Sequence, residues 1–178
     1  DTVRAMDSLD ELRYPIGRFN AAAEGSRADQ LETLRRLPAN LRQAVGGLDD
    51  AQLDTPYREG GWSARQVVHH LADSHANSYI RVKLALTEDA PTIKAYDEAA
   101  WARLPDSRLP VEVSIPFVEA VHARLIALLE PLSDADCQRT FVHPERGVVT
   151  LAQNLAIYAW HSRHHVGHIT RLRDRMGW

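Results

Sequence analysis

Four histidines fall within eight residues near the C-terminus, in Tyr158-Ala159-Trp160-His161-Ser162-Arg163-His164-His165-Val166-Gly167-His168. His161 and His165 stand four apart, so on a helix they lie one above the other and can hold one metal ion between their imidazoles. An isolated pair at this spacing serves equally well as core histidines satisfied by hydrogen bonds, so the chemistry turns on what else joins it. In the zinc-protease form of the motif a glutamate follows the first histidine and acts as general base. Ser162 stands there instead, which argues against a metalloprotease of that type. A metal with open catalytic positions usually takes three protein ligands, so a third must come from elsewhere.

His70 is the best candidate. It lies in Gly60-Gly61-Trp62-Ser63-Ala64-Arg65-Gln66-Val67-Val68-His69-His70-Leu71-Ala72-Asp73-Ser74-His75, where Ser63 to Gln66 has the form of a capping box. The stripe Val67, Leu71, Ser74, Ser78 runs beside His70 at helical intervals. Periodicity leaves His69 and His75 open next to it. Two capped helices packed side by side in a bundle bring such residues together, because facing helices build metal sites in bundle cores.

The elements that must position these residues are legible as four helices. Asp29 to Val45 carries Leu31, Leu34, Leu37, Leu41 and Val45 at spacings of three or four and stops at Gly46-Gly47, with Pro38 a candidate kink. Ala64 to about Leu86 forms the second. The third runs from about Ile115 to Leu129, with Phe117, Val121, Leu125 and Leu128 on one face and Pro116 near its first turn. Leu151 to Arg175 is the fourth. It opens on the capping box Thr150 to Gln153 and carries the stripe Leu151, Leu155, Tyr158, Ser162, His165, Ile169, Leu172, Met176. Between the second and third helices, a segment with Pro91, Pro105 and Pro110 is too long for a tight bundle turn. It predicts a crossover with a short helix near Asp97 to Arg103. Phe141 to Val149, with Pro-Glu-Arg-Gly between two apolar pairs, predicts a small hairpin. The expected fold is an all-α four-helix bundle, one domain over 1–178 with 1–28 as an N-terminal extension.

At 178 residues the chain can bury about 70% of its unfolded surface, enough for one sizeable core. A net charge of −3 with 21 basic residues spread along the chain argues against a dedicated nucleic-acid surface. Cys137 is the only cysteine, which excludes an intramolecular disulfide framework and any multi-cysteine metal site. It reads as a packing residue. No stretch approaches a membrane span, and Asp1 to Asp10 lacks the basic and apolar regions of a signal peptide, so a cytoplasmic enzyme is expected. The chain begins at Asp1, with Met6 a conceivable natural start.

Gly60-Gly61-Trp62-Ser63, His70-Leu71-Ala72-Asp73-Ser74 and Trp160 through Ile169 together resemble the DinB superfamily. Tyr14-Pro15-Ile16-Gly17, Leu53 to Arg58 and Val67 to His75 resemble its YfiT-like branch, described as metal-dependent hydrolases or bacillithiol transferases. The resemblance spans about Tyr14 to Trp178. It implies that His70, His161 and His165 bind one divalent metal, zinc or nickel first among the candidates. It selects them over the alternative register of His164 and His168, which spacing alone leaves open. It further implies a homodimer, with a low-molecular-weight thiol such as bacillithiol as cosubstrate and a small-molecule electrophile as partner.

Three neutral imidazoles neutralise none of the metal's charge, so the ion stays a strong Lewis acid toward water or a thiol. With no glutamate beside it, the thiol route is favoured: a metal-bound thiolate attacks an electrophilic carbon, and the protein is expected to be a thiol S-transferase. Metal-dependent hydrolysis is the alternative. A non-catalytic metal-binding or dimerising module is a third, which a fourth ligand from His164, His168 or Asp73 would favour. Asp73 and His164 are candidates to orient a ligand ring, though each serves equally on an ordinary helix face. Asn154 and Tyr158 are candidates to line the pocket or simply the core. Arg81 and Lys83 suit either an anionic cofactor or the helix dipole. Trp62 and Trp160 read as packing anchors, and His122 and His143 as surface or structural histidines.

Overall fold

The computed structural model describes residues 8–178, so the conceivable start at Met6 lies outside the described residues. A short helix α1 (Leu9–Arg13) and a 3-10 turn (Ala21–Ala23) precede the first long helix, α2 (Arg27–Val45). Next come α3 (Asp50–Leu53), the second long helix α4 (Ala64–Thr87), and α5 (Glu98–Trp101). A second 3-10 turn (Pro105–Arg108) leads into α6 (Val111–Leu129). The chain closes with α7 (Asp134–Cys137), strands β1 (Thr140–His143) and β2 (Gly147–Thr150), and α8 (Leu151–Met176). Full capping boxes start α2, α4 and α8, at Ser26, Ser63 and Thr150, satisfying backbone donors that a helix start leaves unpaired.

The four long helices form the bundle, α2 and α4 each packing against both α6 and α8. Cross-helix bonds give the directions. Arg65 near the start of α4 reaches the carbonyl of Leu109 just before α6, and His75 further along α4 meets His122, so these two helices run parallel. His70 meets His161 while Asn154 meets Ser78, so α8 runs antiparallel to α4. Parallel neighbours cannot be joined by a tight turn. The chain from α4 must therefore return the length of the bundle before α6 begins, which is why the proline-bearing crossover is long. On its way Ile93 donates its backbone N–H to the Val142 carbonyl and Val142 donates to the Pro91 carbonyl, which ties the crossover to β1. The expected hairpin is present, β1 and β2 pairing antiparallel with Phe141 opposite Val149.

Two apolar clusters fill the bundle. One gathers Leu37, Leu41, Val67, Leu71, Val118, Ile169 and Leu172. The other gathers Leu34, Val82, Leu125, Phe141, Leu151 and Leu155. Between them lies a buried polar layer containing Ser74, His75, Ser78, His122, Asn154 and Ser162.

Several expected details differ. The third long helix begins at Val111, four residues before Ile115, and runs through Pro116. The bond that proline cannot make would go to the carbonyl of exposed Glu112, which water can satisfy. Its buried residues include Val111, Ile115, Val118, His122 and Leu129 beside the expected Val121 and Leu125, leaving Phe117 49% exposed. Helix α2 continues through Pro38. Met176, at the end of the predicted core stripe of α8, is half exposed because the last turn outruns the bundle. Among the described residues no helix is long and apolar enough to cross a membrane.

Candidate metal centre

Helices α4 and α8 bring His70, His161 and His165 together. The Nε2 of His161 stands 3.2 Å from Nε2 of His70 and 3.1 Å from Nε2 of His165. Two donors on a tetrahedral ion with bonds of about 2.05 Å lie about 3.3 Å apart. Both separations from His161 match that spacing, and the three residues can place their ligand nitrogens within 4.8 Å of one another, a group that could hold one divalent ion. Trp62 covers the outer side, its ring 4.6 Å from that of His70 and 6.3 Å from that of His165. Burial pulls the His70 imidazole down to about 4, and pulls His161 and His165 well below the ordinary value of 6.5, the neighbouring histidines adding to the effect. The rings are held neutral, the form that binds metal.

The other histidines of the two clusters have different partners. Nδ1 of His69 lies 2.6 Å from the Ser114 hydroxyl and its Nε2 lies 2.8 Å from the Leu109 carbonyl, so this ring faces α6 and ties it to α4. His75 faces inward, with Nε2 3.1 Å from Nδ1 of His161 and Nδ1 2.6 Å from Nε2 of His122. Nδ1 of His122 in turn lies 2.7 Å from the Leu34 carbonyl. His122 is buried and linked to the site, a role its isolated place in the sequence did not signal. Nδ1 of His168 lies 3.2 Å from Nδ1 of His165, and its Nε2 lies 3.0 Å from the Arg13 carbonyl. His164 stacks on Trp160 with centroids 4.2 Å apart, and its buried Nδ1 has no partner among the described residues. His164, His165 and His168 form a second group with metal-ligand spacing.

The supporting residues divide. Tyr158 donates to the Ser74 carbonyl at 3.2 Å and packs its ring against His75 and His161. Asn154 donates to Ser78 at 2.9 Å and locks α8 to α4 away from the pocket. The Asp73 carboxylate, pushed up to about 6 by burial and by Asp106, has no imidazole hydrogen-bond partner among the described residues. Ser162 is buried and donates back to the Tyr158 carbonyl at 2.7 Å.

His161 opens onto a cavity of about 700 Å³ bounded by Tyr158, Trp160, the crossover and the hairpin. This is the size of a small-molecule site. Arg81 is almost fully buried on its wall, donating to the Lys94 carbonyl, whereas Lys83 points out to solvent. Arg146, Glu98 and Glu145 add charge of both signs at the cavity. The Tyr96 hydroxyl is buried there without a well-formed hydrogen bond among the described residues, Ser74 beside it being turned to Tyr158. His143, expected at the surface or in a structural role, accepts the Glu145 backbone N–H and also lines the cavity. Arg81 apart, the sequence did not signal these cavity residues, because only the folded crossover and hairpin gather them.

Residues 33–169 match the model of the DinB superfamily. The chain belongs to the DinB superfamily. Among its relatives in that superfamily, a protein of Bacillus mycoides (strain KBAB4) named "Putative metal-dependent hydrolase" is 51% identical over 96% of this chain and 100% of its own length. One of the same name from Bacillus cereus (strain 03BB102) is 52% identical over the same shares. The structure of YfiT from Bacillus subtilis, described as a probable metal-dependent hydrolase with an unusual four-helix bundle topology, aligns with TM-score 0.89. It is 48% identical, over 94% of this chain and 99% of that one. TT2238, a four-helix bundle protein, shares the fold at TM-score 0.55 and 20% identity, over 79% of this chain and 95% of that one.

Proposed function

We propose that this DinB-superfamily protein is a metal-dependent hydrolase of small molecules, with His70, His161 and His165 holding one divalent ion. The observation that carries the reading is the meeting of three imidazole Nε2 atoms where His161 opens onto a cavity of about 700 Å³. The names of its relatives support the same activity. Zinc and nickel both suit an all-imidazole donor set. A bound ion would supply Lewis acidity, which lets water or a thiol lose its proton near neutral pH.

The chain's own residues do the rest. Trp62 and the two bundle helices shield the ligands from bulk water on one side, so reactants reach them through the cavity. Arg81 and Arg146 offer cationic contacts, and the Tyr96 hydroxyl, without a well-formed partner among the described residues, offers a hydrogen bond. Glu98, its carboxyl raised by burial, stands across from the two arginines as a candidate proton acceptor. Trp160 and Phe19 give the cavity an apolar wall.

One observation favours a second reading, S-transfer from a low-molecular-weight thiol to an electrophile. Among the described residues none of the hydrogen bonds of the three ligand rings reaches a carboxylate, and Ser162 is committed to its own helix. A thiol, with an intrinsic pKa near 8.5, needs less help than water to ionise. The deciding experiment is metal analysis of the untagged protein followed by assays with and without added thiols. Ester or amide turnover without thiol, lost in His70→Ala, supports hydrolysis. Conjugation that saturates with thiol, with no thiol-independent turnover, would overturn hydrolysis in favour of transfer. No bound metal under either condition would end both.

A further inference from the structure

Rings that touch through nitrogen cannot choose their tautomers independently, and here two chains of such rings end on backbone carbonyls. We propose that His75, His122 and His168 are positioning residues that fix the tautomers of His161 and His165, with the Leu34 and Arg13 carbonyls as the anchors of two relays. The proposal rests on the ligand assignment made above and concerns how those ligands are prepared.

The first relay is read outward from its anchor. A carbonyl oxygen only accepts, so Nδ1 of His122, 2.7 Å from the Leu34 oxygen, carries a hydrogen. In a neutral ring the other nitrogen then holds a lone pair. Nε2 of His122 therefore accepts from Nδ1 of His75 at 2.6 Å. The same rule makes Nε2 of His75 the acceptor for Nδ1–H of His161 at 3.1 Å. What remains is a bare lone pair on Nε2 of His161, the atom that faces both other ligands. Reversing the chain would set a lone pair of His122 against the carbonyl's own and place an N–H where the metal must bind.

The second relay is built from other elements and reaches the same result. Nε2–H of His168 donates to the Arg13 carbonyl at 3.0 Å, and its Nδ1 accepts from Nδ1–H of His165 at 3.2 Å. Nε2 of His165 is left bare toward His161. Metal-binding histidines commonly donate their second nitrogen to a carboxylate or carbonyl. Here the carbonyl acts through one intervening ring on His165 and through two on His161. The second relay also accounts for the close approach of His165 and His168 without a second ion between them.

Long-range ¹H–¹⁵N NMR of the metal-free protein reads the tautomers directly. Nδ1–H is expected on His122, His75, His161 and His165, and Nε2–H on His168. An Nε2–H or averaged signal for His75 or His161 would overturn the first relay, and one for His165 the second. His122→Leu removes the first anchor. It should leave helix content intact, give His161 a mixed tautomer signal and weaken zinc binding by about 10- to 100-fold. His122→Gln, which keeps a donor and an acceptor, should restore most of that affinity. A purely structural role for His122 would leave the His161 tautomer unchanged. If the variant does not fold, the wild-type tautomers still decide. The expected tautomers with no zinc bound would sink the metal assignment and leave the relays standing. Zinc bound to rings of mixed tautomer would do the reverse. A second zinc equivalent that displaces the His165 and His168 Nδ1 signals would refute the second relay.

Discussion

Acid should destabilise the metal-free protein well before its carboxylates are titrated away. His70 and His168 are each held at about 4 in the fold, by burial first, against an ordinary value of 6.5. A base whose folded value is depressed is protonated first in the unfolded chain. Its contribution is therefore complete above pH 6.5 and is lost as pH falls from 6.5 toward 4. For one such ring the full loss is about 3 kcal/mol, of which about 2 kcal/mol is gone at pH 5. Asp73 and Glu98 act in the opposite sense, their carboxyls being raised by burial. Both are partly solvated, so screening leaves them only a fraction of this effect. Two rings alone thus remove about 4 kcal/mol at pH 5, a large share of a typical domain's stability of about 5–15 kcal/mol. At about 2–4 °C per kcal/mol for a chain of this size, Tm should drop by about 10 °C between pH 7.5 and pH 5. Thermal melts followed by far-UV circular dichroism in chelator would measure this, and saturating zinc should restore much of the loss. A Tm unchanged within about 2 °C over that range would refute the reasoning.

Three further outcomes are expected. His161→Ala should lose at least about 100-fold in zinc affinity by calorimetry while keeping a helical spectrum, because the two apolar clusters do not need the metal; a random-coil spectrum would show the ion to be structural. Tyr96→Phe deletes a buried hydroxyl without a well-formed partner, so Tm should hold or rise, by up to about 1 kcal/mol of stability, while kcat/KM falls several-fold; unchanged kinetics would remove Tyr96 from the substrate's contacts. Gly167→Ala would set a Cβ 3.2 Å from Pro15 and 3.3 Å from Ile16, so the N-terminal segment should shift and Tm should fall despite a helix-propensity gain of about 1 kcal/mol; a Tm increase of the full propensity gain would contradict that packing.

The capped starts of α4 and α8 and the apolar stripes of α2, α4 and α8 were readable because each depends on residues three or four apart along the chain, whereas the Ser26 cap of α2 lies ahead of the stripe that marked the helix. The choice of His70, His161 and His165 came from the family resemblance, since periodicity left His69 and His75 open on α4 and the His164 and His168 register open on α8. Helix periodicity gives a face, however, and not a register between helices. The pairing of His75 with His122 depends on α4 and α6 running parallel at one particular offset, which no local pattern encodes. Arg146, Glu98 and Tyr96 converge only because the crossover returns beside the hairpin. Pro116 misled for a physical reason: a proline fits inside a helix when the carbonyl it cannot bond faces water.

The separation of the three histidines in the chain sets an order of events. His161 and His165 are one helical turn apart, but His70 lies 91 residues from His161, on a separate helix that must be docked against α8. An unfolded chain therefore offers an ion no preformed site, and a half-built bundle offers at most two ligands of a loose pair. Loading must follow assembly. Excess zinc in a refolding experiment should leave the folding rate unchanged and slow only unfolding, as befits an ion that recognises the finished bundle and takes no part in making it.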